Sequence, residues 1–174
     1  MANLSIYVGT YAKYNEGSLK GQWLRIPDYA DYPELQNAMY ELHNDEDDPE
    51  FMIQDFEGDA IFELLSLVSE SHISESVFDI IDSLENCNYA LQVLESYIYC
   101  FGNYSENIEE LVEAIEESYQ GQYNSDVCFT QTLLEDCGDI PTNLPHYIHI
   151  DWESTSNDIM MDYSTVNGHY FRNI

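Results

Sequence analysis

From Ile26 to Phe171 the chain contains neither lysine nor arginine. Its four basic residues, Lys13, Lys20, Arg25 and Arg172, stand outside that stretch, and every acidic residue except Glu16 stands inside it. The formal net charge is −30 over 174 residues, whereas a small soluble domain ordinarily carries about 2 to 8 charges of net excess with both signs mixed. Self-repulsion on this scale opposes a compact state, so some other requirement favours the arrangement, and the field selects partners of opposite sign. The most abundant specific basic surfaces in a cell are those that hold nucleic acid.

This charge is expected to sit on a folded body. Disordered acidic chains are poor in large apolar residues, but 44% of this chain is hydrophobic, with fifteen tyrosines and seven phenylalanines. Its length suffices to bury a core, in one piece or in a few small modules. No apolar run reaches the roughly 18 residues of a membrane span. The first residues, Met-Ala-Asn-Leu-Ser-Ile-Tyr, lack the basic leader and apolar centre of a signal peptide, so an intracellular location is expected. Cys87, Cys100, Cys128 and Cys137 form no C-x-x-C pair and predict buried free thiols.

Three textures follow one another, predicting an α+β chain of small modules with divisions at 1–60, 61–103 and 104–174. In the first, Leu4–Val8 and Gln22–Ile26 read as a hairpin around a turn at Tyr14–Gly17. A helix is expected over Tyr32–Leu42 with Pro33 in its first turn, then an acidic loop over Asn44–Glu50 and a third strand over Phe51–Phe56 ended by Gly58. In the second, helices are expected over Ile61–Val68, over Glu75–Glu85 behind Ser74, and over Tyr89–Phe101 between Asn88 and Gly102.

The third texture opens on the clearest periodicity in the chain. Ile108, Leu111, Val112, Ile115 and Tyr119 fall at helical spacing and predict a helix over Glu106–Tyr119, capped by Ser105. Glu106, Glu109, Glu110, Glu113, Glu116 and Glu117 cover the rest of its circumference. Like charges at i,i+4 weaken a helix by a few tenths of a kcal/mol per pair, by about as much as a lysine partner would help. Further helices are expected over Asp126–Cys137, between Ser125 and Gly138, and over Trp152–Ile159, with a terminal strand over Gly168–Phe171.

Duplex DNA carries about one charge per 1.7 Å of axis, so the 33 acids of the lysine-free stretch match roughly 56 Å of duplex, about 16 base pairs. A compact chain of this length has a radius of gyration of only about 16 Å, so DNA-like spacing predicts an elongated arrangement.

Several segments resemble a known family. Ile6-Tyr7-Val8, then Tyr14-Asn15-Glu16-Gly17-x-Leu19-x-Gly21-x-Trp23, is similar to the N-terminal signature of the ArdA antirestriction proteins. The similarity continues in Ile53–Glu57, in Tyr119–Tyr123, and in Leu134-Glu135-Asp136-Cys137-Gly138-Asp139-Ile140-Pro141. It then runs from Leu144 through Asp151-Trp152-Glu153 to Asp158-Ile159. The resemblance implies a DNA mimic, carried by mobile genetic elements and acting in the bacterial cytoplasm, that occupies the DNA-binding channel of type I restriction-modification enzymes. It stops cleavage and often methylation. The resemblance further implies three modules in line, self-association into a homodimer through the C-terminal module, no cofactor, and no binding of nucleic acid or membrane. Relatives commonly carry arginine where this chain has Asn157, which leaves the last module more acidic and puts in doubt any salt bridge made there by the family arginine.

The residues expected to meet the partner are therefore carboxylates acting as a set: Glu106, Glu109, Glu110, Glu113, Glu116 and Glu117, then Asp126, Glu135, Asp136, Asp139, Asp151, Glu153 and Asp158, with Asp45, Glu46, Asp47 and Asp48. A rival reading is an acidic module for another basic protein, such as a nucleoid protein, a CRISPR complex or a polymerase. A salt-adapted surface would not come with thirteen asparagines and so many aromatics. The acid runs at Asp45–Asp48 and Asp55–Asp59 do not fit an EF-hand, and His146-x-x-His149 has no framing helix to make it a zinc site. No nucleophile elbow, phosphate loop or dinucleotide fingerprint is present, so no enzyme is expected. Tyr7, Tyr11, Tyr14, Tyr29, Tyr32 and Tyr40 are expected to pack in the core and hairpin, because the charge excludes a phosphate-bearing strand from a stacking platform there.

Overall fold

Leu4, Ile6 and Val8 alternate with Ser5 and Tyr7, a period that puts the three aliphatic side chains on one face of a strand. In the computed structural model, which describes residues 2–102, 107–141 and 143–173, all three are fully buried in β1 (Leu4–Thr10). A single helical turn follows, α1 (Tyr11–Asn15), because the Thr10 hydroxyl accepts the Lys13 N–H and caps it. The turn expected at Tyr14–Gly17 thus begins as helix. β2 (Gln22–Arg25) returns along β1, and Pro27 opens a 3-10 turn over Ile26–Asp28.

α2 (Tyr32–Leu42) has the expected bounds, with Asp31 accepting the Glu34 N–H at its start and Leu35 and Met39 buried. β3 (Phe51–Gly58) lies on the other side of β1, giving an antiparallel sheet of order β2-β1-β3. Its register shifts by a bulge between Tyr7 and Val8.

The expected helix over Ile61–Val68 is corrected. Only α3 (Ile61–Leu64) is helical. Ser66 adopts a φ of 58° and turns the chain, so Leu67 and Val68 are buried from extended backbone. A hairpin follows, β4 (Val68–Ser69) and β5 (His72–Ile73), tied to β3 by Ile53 N–H donating to Glu70 O at 2.7 Å. α4 (Val77–Glu85) begins two residues later than expected, because the Ser74 hydroxyl accepts the Ser76 N–H and its carbonyl the Val77 N–H. α5 (Leu91–Phe101) likewise starts at Leu91 rather than Tyr89, and buries Val93, Leu94, Tyr97 and Ile98. On its expected apolar side Leu91 is half-buried and Phe101 exposed.

α6 (Ile108–Ser118) ends one residue early, since Tyr119 opens a strand the periodicity did not reveal, β6 (Tyr119–Gln122). The expected cap Ser105 lies outside the described residues. α7 (Asp126–Cys137) has the expected bounds, started by the Ser125 hydroxyl accepting the Cys128 N–H and ended at Gly138. α8 (Trp152–Ile159) starts on Asp151 and packs against α7. The single terminal strand is corrected to a hairpin, β7 (Tyr163–Val166) and β8 (His169–Arg172), in a sheet of order β6-β8-β7. Its two-residue turn is Asn167-Gly168, both at positive φ (54° and 79°), the pairing whose twist matches a hairpin.

The chain is therefore an α+β protein of small antiparallel sheets. It divides into two compact units, residues 1–91 with 103–111, and 92–102 with 112–174. The first is filled by aliphatic side chains from β1, α2, α3 and α4. The second centres on Phe129, stacked on Tyr170 at 4.6 Å, and on Phe171, which touches Tyr97, Phe101 and Tyr119. The thiols are free but not buried: Cys87 and Cys100 are half-buried, Cys128 and Cys137 exposed. Among the described residues no helix is long and apolar enough to cross a membrane.

Candidate functional site

A helix that buries every third or fourth residue exposes the rest. α6 buries Ile108, Leu111, Ile115 and Ser118, and this rotation leaves Glu109, Glu110, Glu113, Glu116 and Glu117 all exposed. The Asn107 side-chain carbonyl accepts the Glu109 and Glu110 N–H groups at 3.0 and 3.3 Å and caps the first turn. Glu106, expected on the same face, lies outside the described residues. From Glu109 to Glu117 the axis rises about 12 Å. Five carboxylates over that rise stand about 3.0 Å apart along the axis on average, close to the roughly 3.4 Å between charges on one strand of a duplex.

The same bias marks the helix ends. A cation in the last turn stabilises a helix by meeting its partial negative charge, yet none of α2, α4, α5, α6, α7 and α8 has one there. α7 places Glu135 and Asp136 in its last turn, with Asp139 just beyond, and all three are exposed. Anions at that position oppose the helix dipole, so folding stability does not account for them.

The remaining expected carboxylates divide by what holds them. Glu153, Asp158, Asp47 and Asp48 are exposed. Asp151 caps α8, taking the Ser154 N–H and hydroxyl at 3.1 and 2.8 Å, and these bonds hold its carboxyl below the usual range. Asp126 accepts the Tyr170 hydroxyl at 2.6 Å, and burial together with that carboxylate pushes the phenol up to about 12. Lysines neutralise Asp45, which is exposed, and Glu46, which is half-buried. Lys13 reaches them at 2.7 and 2.9 Å and Lys20 reaches Asp45 at 3.0 Å. These two are the least suited of the set to stand in for phosphates.

His43, Asp45 and Glu46 gather three possible metal-binding atoms, but the Lys13 ammonium stands among them, 2.9 Å from His43 Nδ1. His43 Nε2 donates to Val8 O at 3.3 Å, so the imidazole accepts from Lys13 in its neutral form. His146 and His149 are exposed and belong to no such group among the described residues.

Burial, with Lys13 adding to it, holds the His43 imidazole below its ordinary range. The unfolded chain therefore binds this proton at higher pH than the folded chain. The contribution of His43 to stability is complete above about pH 6.5 and declines as the pH falls below it. Relief of the overall repulsion acts in the opposite direction, so the imidazole is isolated by comparison with His43→Gln. Between pH 7.5 and 5.5 the variant's melting temperature is expected to rise relative to that of the unaltered protein. Parallel curves would refute the role assigned to His43.

Sequence reasoning missed a second feature. On the open face of the β2-β1-β3 sheet, Trp23, Tyr7 and Asp55 are direct cross-strand neighbours. With Tyr14, Leu19, Met52 and Gln54 they line a hollow of about 430 Å³. Tyr14 and Tyr40, expected to be packed, are 49% and 45% exposed. The available signal was period two: Tyr7 faces away from Ile6 and Val8, and Trp23 away from the buried Leu24.

These features define an acidic α+β protein that presents exposed carboxylates along a helix face. A family model described as "Antirestriction protein (ArdA)" matches residues 6–172. The chain belongs to the ArdA family of antirestriction proteins. No curated protein matches it.

Proposed function

We propose that the protein inhibits type I restriction-modification enzymes by occupying, as a mimic of double-stranded DNA, the channel that holds their substrate. The observation that carries this reading is the exposed face of α6, five carboxylates spaced much as the charges on one DNA strand, with no lysine or arginine in the helix. Glu135, Asp136 and Asp139 at the end of α7 add to it, and there the negative charge opposes the helix dipole. A channel built for phosphates holds condensed anions when empty of DNA, and a protein polyanion gains affinity by releasing them, as DNA-binding proteins do in reverse. Occupation of that channel blocks cleavage, and methylation where the same channel serves both reactions. The proposal retains the three-part division at 1–60, 61–103 and 104–174, with homodimerisation through the last part.

The test is a titration against a type I methyltransferase bound to labelled duplex, read as displacement, at about 50 and 200 mM salt. Displacement is expected at low salt and an apparent affinity lower by about a hundredfold or more at high salt. Failure to displace at any salt rejects the proposal, and displacement insensitive to salt replaces the polyanion with an apolar interface.

A further inference from the structure

We infer that the hollow on the open face of the N-terminal sheet receives one arginine side chain of the protein partner, held among Trp23, Tyr7, Tyr14 and Asp55. Only the identity of that partner rests on the function proposed above. The site is built in two layers of constraint. Tyr7 sits beside Trp23 with ring centres 5.5 Å apart and planes at 68°, and its hydroxyl donates to Leu19 O at 3.1 Å, which fixes the ring and the loop over it. Gly21 permits that approach: a Cβ there would lie 2.5 Å from Val8 O and 2.7 Å from the Tyr7 ring. The segment Tyr14 to Trp23, singled out in the sequence, thus closes around one depression.

Its exposed apolar surface has no structural reason. Trp23 is 42%, Tyr14 49% and Leu19 68% exposed, a grouping that marks a contact surface rather than scattered apolar residues.

Charge decides what the contact is. Asp55 lies beside the rings, with one oxygen taking the Phe56 N–H at 2.9 Å, and among the described residues no cation of the chain pairs with it. Lys13 and Lys20 are committed to Asp45 and Glu46, and Arg25 to Asp28 at 2.6 Å. Aromatic faces attract cations, and a carboxylate in a chain of net charge −30 repels phosphates and acids. A neutral apolar side chain would bury Asp55 against it without a partner. Guanidinium fits better than ammonium, because it is planar, weakly hydrated and stacks on rings while bonding a carboxylate. Proteins that hold DNA present such arginines.

The test uses the full-length protein alone, with arginine amide as the probe and citrulline amide, the isostere that differs in having an uncharged side chain, at constant ionic strength. The chain has two tryptophans, and the Trp23 indole N–H resonance is assigned by its loss in Trp23→Phe. Arginine amide is expected to shift that resonance saturably, citrulline amide is not, and Asp55→Asn is expected to weaken the response about fivefold. Amide dispersion of the variant checks its fold. Equal shifts with both probes, no shift with either, or an unchanged response in a folded Asp55→Asn overturns the inference. Glu109→Gln/Glu113→Gln should leave the Trp23 response intact. A protein that binds arginine amide yet displaces no duplex rejects the mimic and keeps this site, and the converse result rejects this site alone.

Discussion

Changing Glu109, Glu110, Glu113 and Glu117 together to glutamine is expected to weaken displacement of duplex from the target enzyme by about a hundredfold while making the protein more stable. Each anion that stands in for a phosphate contributes close to one unit to the slope of log affinity against log salt. Four lost anions therefore reduce that slope by between three and four, which at about 0.2 M salt is a loss of roughly a hundredfold or more in affinity and a larger one at lower salt. Any one change alone should cost only a few-fold, since the remaining carboxylates still fill the channel. Stability should move the other way. Glu109 and Glu113, and Glu113 and Glu117, are like-charged i,i+4 pairs, and Glu110 and Glu113 are i,i+3 neighbours. Removing these repulsions should add roughly 1 kcal/mol, of which the loss of Glu109 and Glu110 from the first turn takes back a part, so the melting temperature should rise by about 1–2 °C. Opposite signs separate a binding surface from a structural one. Loss of inhibition together with loss of stability would point to a damaged fold, and full inhibition by the quadruple variant would remove α6 from the interface.

The parts of the fold legible in the sequence are those whose causes are local. α2 and α7 have the expected bounds because their start signals stand next to them, Asp31 with Pro33 and Ser125, and α7 also carries its stop, Gly138. β1 and β2 were legible because two alternating runs flank a glycine-containing turn. What escaped depends on distant partners. β6, Tyr119-Gln120-Gly121-Gln122, has little strand preference of its own and exists because β8, at His169–Arg172, pairs with it. The apolar run Ile61–Val68 satisfies a helix and a turn-plus-strand equally, and only the packing of Leu67 and Val68 around Ser66 decides between them. The β7–β8 hairpin is a different kind of miss, since Asn167-Gly168 is itself a strong turn signal.

The candidate surface divides in the same way. The α6 carboxylates follow from its periodicity and face out as expected. Asp45 and Glu46 looked equivalent to Asp47 and Asp48 in the sequence, but Lys13, some 30 positions away, folds onto the first two and not the others. Beside Trp23, period two turns Tyr7 and Trp23 outward, but only the register of three strands brings them together with Asp55.

Phe171→Ala is expected to be the most damaging single substitution in the second unit, costing about 3–5 kcal/mol. The ring is fully buried on the central strand of its sheet and meets Tyr97 at 5.4 Å, Tyr119 at 5.2 Å and Phe101 at 6.2 Å. Its removal opens a cavity where α5 meets β6 and β8. Phe171→Leu keeps most of the volume and should cost roughly 1–2 kcal/mol. The size of the alanine effect follows from the charge pattern. All the salt bridges found among the described residues lie between Lys13 and Glu46, and Arg172 is the second unit's one cation. That unit therefore opposes its own repulsion chiefly by apolar burial and aromatic contacts, from a total stability that for a protein of this kind is about 5–15 kcal/mol. Urea unfolding at about 0.05 and 0.5 M salt tests this. Salt screens the repulsion and should stabilise both proteins, but it cannot fill a cavity, so the gap between them should stay constant. A deficit that disappeared at high salt would mean that Phe171 acts by spacing charges rather than by packing.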